Sequence, residues 1–226
     1  MSIPAVAIFD AYGTLLDVHS AVRRVADVLD ADAARLSTLW RHKQLEYSWT
    51  RSLMGRYIDF WQVTEQALDH ALAVCGFNDP KLRDALLDSY RALEAYPDVR
   101  ATLIGYRTLG TRVAVFSNAT PAMLCDALAS ARLDDLVDTV CSTHELKCYK
   151  PDGRVYAYAG KVVNAEPNAV VFHSSNAWDA AGAASFGWPT FWINRARQVP
   201  EYTWAGLREC VDLQAALARF LATRPG

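Results

Sequence analysis

The apolar positions of this chain fall into two regimes. Ala5-Val6-Ala7-Ile8-Phe9 is an unbroken apolar run closed by Asp10, and a run without alternation predicts a strand buried on both faces. Gly13 marks a turn. From about Ala21 to Tyr90 the spacing of apolar residues becomes helical, and no strand is predicted there. Asn78-Asp79-Pro80 breaks this block and starts a fresh helix. The block carries Trp40, Tyr47, Trp49, Tyr57, Phe60 and Trp61, and reads as an all-helical insertion.

From Pro97 onward strands and helices alternate. Strands are predicted at Arg112 to Phe116, near Thr139-Val140, at Ala169 to His173 and at Thr190 to Asn194. Between them lie helices after Thr120-Pro121, through Val155 to Val163 and near Ala177 to Ser185, and Asp212 caps a last helix over Leu213 to Ala222. Strands separated by helices imply an α/β fold with a doubly wound parallel sheet and right-handed crossovers. The expected organisation is a core of residues 1–17 and 91–226 with an inserted helical cap of residues 18–90.

Composition narrows the setting without choosing the chemistry. With 52% hydrophobic and 21% charged residues in 226, the chain can bury a proper core and is not extended disorder. A formal charge of -2 gives no electrostatic reason to expect nucleic acid or an anionic membrane as partner. No apolar run reaches the length of a membrane span and no charged n-region precedes the first strand, so a cytoplasmic protein is expected. Cys75, Cys125, Cys141, Cys148 and Cys210 are odd in number and form no CxxC, which predicts reduced thiols rather than a disulfide framework or zinc site.

Ligands of open parallel sheets bind beyond the carboxyl ends of the strands, so the polar residues there matter most. Three predicted strands end on them: Asp10 after the first, Ser117-Asn118 after the second, and Ser174-Ser175-Asn176 with Asp179 after the fourth. One Ser-Asn pair is an ordinary turn or helix cap, but three such endings on one rim indicate a site. Lys150 would bring an ammonium to the same rim and favour the charged form of Asp10 as a nucleophile.

Phe9-Asp10-Ala11-Tyr12-Gly13-Thr14-Leu15, Phe116-Ser117-Asn118, Tyr149-Lys150-Pro151-Asp152 and Ser174-Ser175-Asn176-Ala177-Trp178-Asp179 resemble the four motifs of the haloacid dehalogenase superfamily, in the same order. Within it the chain is most similar to the (S)-2-haloacid dehalogenases, and Trp40-Arg41 with Gln44-Leu45-Glu46-Tyr47-Ser48 resembles that subgroup too. Phosphatases of the superfamily carry Asp-x-Asp, the second carboxylate protonating the leaving alkoxide. Here that position is Tyr12, and a halide leaves without needing a proton. Their Mg²⁺ needs carboxylates from the fourth motif, where this chain has Ser174, Ser175 and Asn176, so no metal or other cofactor is expected.

The resemblance implies that Asp10 attacks C2 of a short 2-haloalkanoate, inverting it and forming an ester that water hydrolyses. It implies catalytic roles for Asp10, Thr14, Arg41, Ser117, Lys150, Tyr156, Ser174, Asn176 and Asp179. The substrate carboxylate falls to Ser117 and the loop at Ala11-Tyr12, and the departing halide to Arg41 and Asn118. Phe60 adds a ring edge, while Leu45, Tyr12 and Trp178 line an apolar wall. A homodimer is implied as well.

Two residues depart from the subgroup: His42 beside Arg41, and His173 before Ser174. A ring beside Arg41 would narrow the halide pocket and add a donor, which favours fluoride and raises the expectation of fluoroacetate hydrolysis; the alternative for each is a satisfied structural histidine. The competing readings are a Mg²⁺-dependent small-molecule phosphatase on the same fold and a non-catalytic descendant that binds a small acid or a protein.

Overall fold

A computed structural model describes residues 4–222; the first three and last four residues of the expected core lie outside it. In chain order the elements begin with β1 (Val6–Phe9), β2 (Leu16–Asp17), α1 (Ser20–Arg23), α2 (Ala26–Leu29), α3 (Ala33–Leu53), α4 (Phe60–Cys75), α5 (Pro80–Arg91) and β3 (Glu94–Ala95). They continue with α6 (Val99–Thr108), β4 (Arg112–Ser117), α7 (Pro121–Ser130), β5 (Thr139–Ser142), α8 (Gly153–Val163), β6 (Val170–Ser174), α9 (Ala177–Phe186), β7 (Thr190–Ile193), β8 (Arg208–Cys210) and α10 (Leu213–Ala222).

Six strands form one sheet in the order β5-β4-β1-β6-β7-β8, every neighbour parallel. β1 is central, and the chain builds outward from it on both sides, so the crevice at its carboxyl end lies at a topological switch point. Phe9 pairs with Val115 on β4 and with His173 on β6, which brings Asp10, Ser117 and Ser174 to one level at that crevice.

Strand alternation divides the core. Ala7, Phe9, Val113, Val115 and Val171 face α6, α7 and α10, while Val6, Ile8, Ala114, Phe116 and Phe172 face α8 and α9. Both faces are buried, which is why β1 shows no polar alternation. Helix ends follow from local chemistry. Pro121 opens α7 with Thr120 Oγ1 accepting from the Met123 amide at 3.3 Å, and Pro80 opens α5 with the Asp79 side chain accepting from the Lys81 amide at 2.9 Å. A capping box between Asp59 and Gln62 opens α4, and Gly76, at φ 81°, ends it in the left-handed conformation that glycine adopts without strain.

The block expected to be helical holds α1 to α5, with α3 packed along α4, and no strand interrupts it. Three features were not anticipated: helix α6, edge strand β8, and the two-residue strands β2 and β3. The last two pair antiparallel, Leu16 with Ala95 and Asp17 with Glu94, where the chain leaves and re-enters the sheet domain. Among the described residues no helix is long and apolar enough to cross a membrane, and all five cysteines are free.

Candidate active site

Asp10 sits one residue past β1, 6% exposed, and its two carboxylate oxygens have different surroundings. Oδ2 accepts from Asn176 Nδ2 at 2.7 Å, Thr14 Oγ1 at 3.0 Å and Ser174 Oγ at 3.4 Å. Oδ1 accepts from Lys150 Nζ at 3.2 Å. The Thr14 hydroxyl itself accepts from the Ser175 amide at 2.8 Å, which directs its hydrogen towards Asp10. Three donors on Oδ2 fix the plane of the carboxylate.

Lys150 is 1% exposed and spends its three donors on three oxygens: Phe116 O at 2.7 Å, Asp179 Oδ2 at 2.9 Å and Asp10 Oδ1 at 3.2 Å. Its backbone amide donates to Asn118 Oδ1 at 2.9 Å, so Asn118 anchors the loop that carries the lysine. Asp179, wholly buried on the first turn of α9, accepts from Tyr156 Oη at 2.7 Å through its other oxygen. Burial pushes the Asp179 carboxyl up to about 6, against the opposing pull of the Lys150 ammonium, with Asp10 adding to the rise. Burial also holds the Tyr156 phenol well above its ordinary range, so it stays a donor.

Arg41 reaches this corner from α3. Its Nη2 donates to Tyr12 O at 3.2 Å and to Asn176 Oδ1 at 3.3 Å, and Nη1 donates to Gln44 Oε1 at 2.7 Å. Arg41, Leu45 and Phe60 from the helical block meet Asp10, Tyr12, Ser117, Asn118, Lys150, Asn176 and Trp178 around a cavity of about 10 Å³. That is room for about one water. Arg41, Leu45, Asn176 and Trp178 also line an outer cleft of about 680 Å³ and so form the wall between the two spaces.

Thus Asp10, Thr14, Arg41, Ser117, Lys150, Tyr156, Ser174, Asn176 and Asp179 come together as one constellation, with Tyr12, Leu45, Phe60, Asn118 and Trp178 around it. Two expected ligand-binding positions fall outside the cavity. The Ala11 carbonyl accepts from the amides of Thr14, Leu15 and Leu16, so Ala11 shapes the turn after β1. His42 is exposed and lines the outer cleft, because on α3 it lies one position round the helix from Arg41; it does not narrow the space at Asp10.

His173 is also removed from the halide corner. Successive strand residues point to opposite faces, so with Ser174 turned to Asp10, His173 faces α6. There it stacks between Phe9 and Phe191, its Nε2 meets Tyr106 Oη at 2.9 Å, and its Nδ1 meets Ile8 O at 3.3 Å. Burial pushes its imidazole down to about 3, so it is neutral and structural.

Arg195, just past β7, was not anticipated. It donates to Ser175 Oγ at 2.8 Å and is paired with Asp98 at 2.9 Å, fixing the segment that carries Asn176. The strand-end rule that picked out Asp10 and Ser174 also points at Asn194-Arg195. Gln44 belongs to the cap motif, where the resemblance implies no role of its own for it.

The donor set does not fit a hard dication. The two carboxylates at the crevice are already bridged by an ammonium, and Tyr12 fills the place of a second strand-end carboxylate with a phenol stacked on Tyr90.

The family described as haloacid dehalogenase-like hydrolase matches residues 4–187. The chain is 49% identical over 216 residues to (S)-2-haloacid dehalogenase 4A of Burkholderia cepacia, covering 95% of this chain and 94% of that one. A crystal structure of a dehalogenase with intermediate complex, 46% identical, superposes with a TM-score of 0.93 over 98% of this chain and 97% of that one. The L-2-haloacid dehalogenase of Xanthobacter autotrophicus with chloropropionic acid covalently bound, 31% identical, superposes at 0.88 over 98% and 100%.

Proposed function

The chain belongs to the haloacid dehalogenase-like hydrolases, and from that premise we propose that Asp10 is the nucleophile with which it converts short (S)-2-haloalkanoates to (R)-2-hydroxyalkanoates. It is a hydrolytic dehalogenase that works by covalent catalysis. The observation that carries the assignment is the asymmetry of the Asp10 carboxylate. Oδ2 is engaged by Thr14, Ser174 and Asn176, and Oδ1, with Lys150 alone, keeps a lone pair for attack.

Oδ1 attacks C2 from the face opposite the halogen, the C–X bond breaks, and the halide leaves with the bonding pair. The guanidinium of Arg41, the amide of Asn118 and the ring edge of Phe60 receive it in a space that excludes water. Ser117 and the Tyr12 end of the loop after β1 hold the substrate carboxylate. Water then adds to the ester carbon of Asp10, passing a proton to Asp179, and negative charge develops on Oδ2, where three donors are already in place. The bond to the product oxygen breaks, the alkoxide takes the proton back from Asp179, and Asp10 returns to its carboxylate by losing a proton to solvent.

A cavity with room for one water favours the smallest acids and requires the wall of Arg41, Leu45 and Trp178 to move for entry. The same tightness keeps fluoroacetate within the proposal, on the size of the pocket and not on His42. The division into a core of residues 1–17 and 91–226 and a cap of residues 18–90 is supported by the β2–β3 pairing at the two crossings. A homodimer is supported by exposed apolar side chains at Leu53, Met54, Val199 and Trp204, and a cytoplasmic setting by the free thiols.

The test is to incubate purified enzyme with chelator and (S)- or (R)-2-chloropropionate or fluoroacetate, and to measure halide with product chirality. Chloride from the S enantiomer alone, with inverted product, is expected. Release that depends on Mg²⁺, or a product of retained configuration, contradicts the assignment. Fluoride release decides the fluoroacetate proposal separately.

A further inference from the structure

We propose that Gln44 is a positioning residue for halide departure: it holds the Arg41 guanidinium in place through a neutral acceptor, so that the full positive charge is left for the leaving anion. This rests on the reading of Arg41 as the group that receives the halide.

Gln44 is 1% exposed and lies one turn along α3 from Arg41, whose Nη1 donates to its Oε1 at 2.7 Å. A guanidinium has only donors, so the amide oxygen must face it and the amide nitrogen must face away. That nitrogen donates to Thr64 Oγ1 at 2.7 Å and meets Tyr90 Oη at 3.0 Å. Thr64 in turn donates its own hydrogen to Phe60 O at 2.7 Å, one turn back on α4. The hydrogen of Thr64 being committed, its oxygen can only accept, so Thr64 on α4 and Arg41 together fix the orientation of the amide, while Tyr90 Oη on α5 lies within reach of both its nitrogen and, at 3.2 Å, its oxygen.

Charge gives this arrangement its purpose. The oxygens that Arg41 reaches are all neutral: Gln44 Oε1, Tyr12 O and Asn176 Oδ1, with the Tyr90 hydroxyl beside them. Among the described residues no carboxylate lies within ion-pair distance of it. A glutamate at position 44 would hold the side chain at least as firmly, and would cancel its charge where a halide ion must form. An amide positions without neutralising. Tyr90 adds a mechanical link, because its ring lies parallel to Tyr12, whose carbonyl accepts from the same guanidinium.

The experiment measures ester formation and ester hydrolysis separately, in single turnovers of (S)-2-chloropropionate and (S)-2-bromopropionate, for Gln44→Glu, Gln44→Met, Thr64→Val and Arg41→Met. Gln44→Glu is expected to slow ester formation at least about tenfold, more for chloride than for the better leaving bromide, with hydrolysis of the ester unchanged. Gln44→Met and Thr64→Val should slow the same step to a smaller degree. Equal rates of ester formation in Gln44→Glu and wild type, or a loss shared by both half-reactions and both halogens, would overturn the proposal. Should Gln44→Glu not fold, Thr64→Val, which keeps the Gln44 charge and breaks its anchor, decides alone by the same criteria. If Arg41→Met leaves ester formation intact, the halide reading of Arg41 has failed; if it slows that step and the Gln44 variants do not, only the positioning role has.

Discussion

The phenol ring of Tyr12 lies nearly parallel to that of Tyr90, with centroids 5.5 Å apart and planes inclined by 9°. The position two residues after Asp10 is thereby committed to joining the sheet to the helical block, and Tyr12 is 4% exposed. Burial holds its hydroxyl well above the ordinary range for a phenol, so it supplies no readily released proton. Tyr12→Asp is therefore expected to lower stability by about 3–5 kcal/mol, from lost packing and a buried carboxyl. It should also lose dehalogenation without gaining Mg²⁺-dependent phosphatase activity. Chemical denaturation with assays on haloacid and phosphate-ester substrates checks both.

Lys150→Met removes the ammonium that separates two buried carboxylates. The expected cost is about 3–5 kcal/mol near neutral pH, since both partners lose their counter-charge. Because protonating one carboxyl relieves the repulsion, the deficit relative to wild type should shrink as pH falls to 5. Urea titrations at pH 8 and pH 5 measure it, and an equal deficit at both would speak against the bridge.

In the proposed mechanism Asp179 must be ionised to accept a proton from water, and its carboxyl is pushed up to about 6 by burial. In the ester Asp10 carries no charge and its share of the rise is lost, so the rate of ester hydrolysis should fall as pH drops through a midpoint somewhat below 6 and level off above it. Tyr156→Phe deletes the hydrogen bond that favours the ionised form, which should move this midpoint upward and slow the step several-fold. Asp179→Asn should accumulate ester. Rapid-quench measurement across pH 5 to 8 reads all three.

His173→Val should leave halogen preference unchanged while costing about 2–4 kcal/mol, because the ring is stacked between Phe9 and Phe191 and satisfies Tyr106. Denaturation, with the ratio of chloride to bromide release, separates the two effects. A shifted ratio would contradict a purely structural role for His173.

Much of this was legible because the site is built from strand ends. The apolar run to Phe9, the run to Phe116 and the run to Phe172 each announce a parallel strand, and the residue types just beyond supply the chemistry. Elements of two or three residues, such as β2, β3 and β8, are too short to show any period, and they form only because longer strands hold their ends nearby. Helix α6 was readable, since Val99, Thr102, Leu103 and Tyr106 bury one face at helical spacing. Adjacency in sequence set His42 beside Arg41 and His173 beside Ser174, whereas helix rotation and strand alternation send such neighbours to different faces, which leaves His173 the structural histidine of the two readings. The Gln44 network joins residues 20 and 46 positions apart, and no local pattern in the chain encodes that closure.

Single-turnover hydrolysis in H₂¹⁸O, with enzyme in excess over (S)-2-chloropropionate, tests the covalent route through Asp10 most directly. After one turnover the heavy oxygen is expected in the carboxylate of Asp10, found by peptide mass spectrometry, with an unlabelled product hydroxyl. Label in the product hydroxyl during that first turnover, or on any other peptide, would contradict it.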